Sequence, residues 1–113
     1  MTYNELKQWL AEYNWDDGFD APQQVLENQN CDLALALELF YLGDGYAYYE
    51  KISQGIQIEE WQDKWRCFIS QLYEGILSGK YPKTRNHYEI PLSRVERYKL
   101  RKSGMPEIFL TDL

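Results

Sequence analysis

Asp16, Asp17 and Asp20 crowd into the segment YNWDDGFDAP, residues 13–22, together with Trp15, Gly18 and Phe19. Clustered carboxylates can bind a cation, divide a proton transfer between them, or offer negative charge to a partner. A calcium loop needs oxygen ligands at its first, third and fifth positions, Gly at the sixth and Glu at the twelfth. Counted from Asn14, the fifth position is Gly18 and the twelfth is Val25; counted from Asp16, Glu27 falls right but the glycine is misplaced. A calcium loop is therefore excluded. A loose magnesium site is the alternative, but clustered acids are common at helix ends, where they favour the helix dipole. The reading carries no metal and no cofactor.

Catalysis finds even less support. Two carboxylates working as acid and base need environments that separate their proton affinities. Glu59, Glu60 and Asp63 instead fall on the polar side of a helical stripe. The single histidine, His87, lies in a Pro-flanked loop with no G-x-S-x-G elbow. Cys31 and Cys67 stand far apart outside any C-x-x-C, so a Cys/His zinc site lacks ligands. Cys67 reads as a small core residue, and two free thiols suit a reducing compartment. There is no phosphate-cradling glycine loop. No catalytic residue is expected.

The elements that position the cluster read as helices. Thr2 and Glu5 form a capping box, and Leu6, Trp9, Leu10 and Tyr13 make one apolar stripe, predicting a helix over residues 3–14. Gly18 offers a left-handed exit, Asp20 a cap, and Pro22 a first-turn residue for a helix over 21–28. Asp32 or Asn30 can cap LALALELFYLG, which is apolar nearly all round and so belongs at the centre. A buried strand is its rival, but Ala, Leu and Glu without β-branched residues favour helix. A short helix follows to Ser53. Ile58, Trp61, Trp65, Phe68, Leu72 and Ile76 predict a long one over 58–78. Ser93 and Glu96 open a last helix, for which the Tyr98/Leu100 alternation also suits a strand. The apolar tail is expected to dock. These readings give an all-α single domain over residues 1–113, with five or six helices.

The 113 residues carry a net charge of −6. Residues 1–63 hold 13 Asp/Glu against 2 Lys/Arg, a net of −11; residues 64–113 hold 5 against 10, a net of +5. Either the halves pair within the chain or an acidic face attracts a basic partner. The frequent Tyr and Trp read either as core or as recognition anchors. Between Lys80 and Lys102, Tyr81, Tyr88 and Tyr98 interleave with basic residues as nucleic-acid stacking platforms would. The negative whole-chain charge opposes that reading. MTYNELKQWL shows neither a basic nor an apolar leader region, and no run is long enough to span a bilayer, so a cytoplasmic protein is expected.

The pattern NWDDG (14–18), Pro22, CDL (31–33), an Ala/Leu-rich helix and DGY (44–46) resembles domain-of-unknown-function family number 4274, found in bacteria. The likeness continues more weakly through PLSRVERYKLRK. Gly43 departs from it, standing where the family tends to have a small helix former such as Ala, which predicts a looser helix end. The family brings no known activity or catalytic residue. Small acidic single domains of this kind often accompany bacterial toxins as immunity proteins, and that analogy sets the expectation. It is a non-enzymatic protein that neutralises a basic toxin domain, such as a nuclease. Asp16, Asp17, Asp20, Asp44 and Glu50 would supply charge, and Trp15, Phe19, Tyr46 and Tyr48 anchors. A housekeeping scaffold module and a nucleic-acid-binding accessory protein are the alternatives.

Overall fold

The computed structural model describes residues 1–113 as six α-helices with no strand. They are α1 (Tyr3–Glu12), α2 (Asp20–Glu27), α3 (Leu33–Leu42), α4 (Gly45–Ser53), α5 (Asp63–Leu77) and α6 (Arg94–Ser103). Short 3₁₀ turns lie at Trp15–Asp17, Glu60–Gln62 and Glu107–Phe109. Both capping boxes form: Thr2 with Glu5 opens α1, and Ser93 with Glu96 opens α6, settling that segment as helix. No helix is long and apolar enough to cross a membrane.

The near-continuous apolar face of α3 decides the architecture. Leu35, Ala36, Leu37, Leu39 and Phe40 are fully buried, so α3 has neighbours on every side except along Glu38, Tyr41 and Leu42, and Glu38 pairs with Lys7 of α1 at 3.4 Å. Helix α5 packs on it through Phe68, Ile69, Leu72 and Ile76. The tail docks as expected. Phe109 stacks on Tyr73 with ring centroids 4.9 Å apart and is completely buried beside Phe40. Arg97 ties α6 to this tail, donating to the carbonyls of Ile90, Leu92 and Leu110 and pairing with Asp112.

Asp32 is the buried carboxylate of the fold. It caps α3, accepting from the Leu35 N–H at 2.9 Å through one oxygen. The other oxygen accepts from Thr84 Oγ1 at 2.6 Å and Asn86 Nδ2 at 2.7 Å. The 80–92 loop is thereby fastened to the start of α3, with the Leu33 N–H on the Pro82 carbonyl. Burial pushes the neighbouring Cys31 thiol up to about 12, which keeps it protonated and inert.

Several boundaries differ from expectation. Helix α1 stops at Glu12 because Tyr13 is extended, its hydroxyl donating to the Gly18 carbonyl at 2.7 Å. Phe19, not Asp20, occupies the cap of α2, and Asp20 is its first residue. Gly43 does not loosen α3: its carbonyl takes the Trp65 indole N–H at 2.7 Å, and a Cβ there would lie 3.1 Å from the Leu39 carbonyl. The largest difference concerns α5, which begins at Asp63. The 3₁₀ turn before it rotates Trp61 off the apolar stripe into solvent. Cys67, expected in the core, is exposed.

Candidate partner-binding surface

The connection from α1 to α2 is built by side chains with distinct tasks. Asn14 caps the 3₁₀ turn, accepting from the Asp16 N–H at 3.1 Å. Trp15 pins the turn inward, meeting the rings of Tyr13, Phe19 and Phe68 edge-on. Gly18 adopts φ 100°, ψ −169°, a mirror-extended conformation open essentially to glycine alone. Asp16 and Asp17 are left over, exposed in the turn.

Asp44 and Gly45 form a second special corner. Asp44 sits in the left-handed region at φ 63°, which Asp tolerates better than most residues. At Gly45 a Cβ would come within 2.4 Å of the Phe40 ring, so the start of α4 crosses α3 only without a side chain. The corner presents the Asp44 carboxylate outward.

These two corners meet the start of α5. Asp16, Phe19 and Asp44 line one groove of about 550 Å³ with Ala47, Lys51, Trp61, Lys64 and Trp65. Asp17, Phe19 and Asp20 line a second, of about 390 Å³, with Asp63, Lys64, Cys67 and Phe68. The ridge between the grooves is Gly18, Phe19 and Lys64. The carboxylates of Asp16, Asp17, Asp20 and Asp44 accept no hydrogen bond and join no ion pair, although Lys64 lines both grooves and Lys51 the larger one. No group of three or more His, Cys, Asp or Glu side chains converges as metal ligands would.

Other expected residues lie elsewhere. Tyr48 is buried at 8% exposure, packed edge-on against Trp65 and Tyr73, so it is a core residue and offers no anchor. Trp15 is half-buried and serves as a pin. Tyr46 and Glu50 line neither groove; burial pushes the Tyr46 hydroxyl up, and the charges of Glu50 and Glu96 add to it. Sequence reasoning missed Trp61, the most exposed large apolar residue of the fold at 81%. Its stripe spacing pointed inward. The signal against that reading was the polar residues directly flanking it, Glu59, Glu60, Gln62 and Asp63.

The charge split is not neutralised within the chain. Lys7–Glu38 lies in the acidic half, Arg97–Asp112 and Arg101–Glu107 lie in the basic half, and Asp63–Arg66 joins neighbours three apart at the boundary. The alternative of a stacking row between Lys80 and Lys102 finds one exposed ring, Tyr98. Tyr81 is buried, Tyr88 is half-buried, and Lys102 lies over the ring of Tyr98 at 5.6 Å.

The arrangement defines an all-helical domain that carries two acid-lined grooves and an exposed indole. The model of the family described as domain of unknown function (DUF4274) matches residues 2–77, and the chain belongs to that family. The matched region ends with α5, so both grooves lie inside it and the 80–92 loop, α6 and the tail lie outside. No curated protein and no solved structure matches the chain.

Proposed function

We propose that this protein is a non-enzymatic binding protein of the bacterial cytoplasm that neutralises a basic protein domain, in the manner of an immunity protein against a toxin such as a nuclease. One observation carries the reading: the carboxylates of Asp16, Asp17, Asp20 and Asp44 gather at two grooves and none has a partner within the chain. Like charges gathered on one surface, with Lys51 and Lys64 near them but in no ion pair, cost folding stability through mutual repulsion, which a basic partner relieves. The same field speeds the encounter with such a partner, and salt screens it. Phe19 supplies apolar area between the grooves. Of the anchors expected from sequence, the reading keeps Phe19 and leaves Tyr48 to the core.

The test is co-expression of the tagged chain with the C-terminal domain of the protein encoded immediately upstream. A stable complex, with growth restored if that domain is toxic alone, supports the reading. Two chains that purify separately, with toxicity unrelieved, refute it.

A further inference from the structure

A tryptophan exposed to 81% is the least expected feature of this surface. Indoles are usually largely buried, and Trp is among the residue types most enriched where partners bind most strongly. Trp61 is not a loose loop residue. It sits in a 3₁₀ turn continuous with α5, whose cap N–H at Asp63 bonds to the Glu60 carbonyl. Its indole N–H has no acceptor in the fold, in contrast to Trp65, whose N–H is committed to Gly43. On one side Trp61 walls the groove that Lys51 and Lys64 also reach. On the other it shares a shallow depression with Glu59, Glu60 and Asp63, and no base lines that side. Asp63 is engaged by Arg66, while Glu59 and Glu60 pair with nothing.

We infer that Trp61 is the anchor of this surface and that its acidic side takes an arginine side chain from a basic segment of the partner protein. An indole face attracts a cation by its quadrupole, and Trp does so best among aromatic side chains. A guanidinium is planar and weakly hydrated, so it stacks on the ring while its fork of N–H groups reaches carboxylates at the edge. A lysine ammonium, compact and strongly hydrated, gains less from the same site. The free indole N–H can donate to a carbonyl of the same segment. This inference rests on the proposed binding of a basic domain and adds its point of attachment.

Nona-arginine and nona-lysine peptides, titrated at low salt and followed calorimetrically, test it on the full chain. The wild type should bind nona-arginine more tightly. Trp61→Ala should weaken nona-arginine by about threefold to tenfold and remove the preference, while Trp61→Phe retains part of it. The exposure of Trp61 leaves folding of these variants intact, checked by melting. If both peptides bind and Trp61→Ala changes neither Kd, the acidic surface stands and the role of Trp61 is overturned. If neither peptide binds the wild type, the acidic-surface reading falls with it.

Discussion

Replacing Asp32 with Ala should cost this fold about 3 kcal/mol. Asp32 is 3% exposed and carries three interactions at once. The cap on the Leu35 N–H contributes about 1 kcal/mol, the usual loss when an N-cap Asp becomes Ala. The bonds from Thr84 and Asn86 are charge-assisted, a class worth about 1.5–3 kcal/mol each when buried. Thr84 is exposed and Asn86 half-buried, so both donors reach water once the carboxylate is gone, which lowers each to about 1 kcal/mol. For a domain of this size about 3 kcal/mol lowers Tm by roughly 10–20 °C. Urea unfolding at pH 7, followed by circular dichroism, reads the loss as a lower midpoint at unchanged slope. Thr84→Val should lose about a third as much, because it removes one of the three interactions. A loss below about 1 kcal/mol for Asp32→Ala would refute the reasoning and free Asp32 for a functional role.

Three further predictions concern the fold. Gly45→Ala should destabilise by about 1–3 kcal/mol despite the better helix propensity of Ala, because the new methyl meets the buried Phe40 ring; denaturant midpoints measure it. Tyr81→Phe should leave stability unchanged or raise it by up to about 1 kcal/mol, since the buried Tyr81 hydroxyl has no partner in the fold; a thermal melt reads the sign. Burial raises Tyr3 and Tyr81 from about 10 to about 12. Folding therefore favours their protonated forms, so this contribution is complete below pH 10 and lost as pH climbs towards 12, and urea midpoints measured across that window should fall.

Much of the fold was legible because local chemistry and apolar spacing agreed. The two capping boxes, the largely apolar α3 and the Asp32 cap each appear where sequence placed them. The motif NWDDG…CDL…DGY also gains a physical content. Asn14, Trp15, Gly18, Asp32 and Gly45 hold turns and caps, Cys31 and Leu33 are buried, Tyr46 is half-buried, and Asp16, Asp17 and Asp44 are exposed charge. What was not legible depends on tertiary placement. Spacing cannot show that Asp16 and Asp44, far apart in the chain, share one groove. Nor can it show that Tyr48 turns inward while Trp61 turns outward. A 3.6-residue stripe continues through Ile58, Trp61 and Trp65, but the α-helix begins only at Asp63, so Ile58 and Trp61 stand outside its period and Trp61 faces solvent.

The most direct test of the account is the association rate of the chain with its co-expressed basic partner, measured by stopped flow from low to high salt. Asp16→Lys with Asp17→Lys changes four units of charge on exposed side chains that hold no hydrogen bond or ion pair in the fold, so the fold should be kept, with melting unchanged or raised as the repulsion is relieved. The account predicts that wild-type association falls steeply with salt. The double variant should associate about tenfold or more slowly at low salt, with a flatter dependence. Equal rates and equal salt dependence for the two proteins would contradict it.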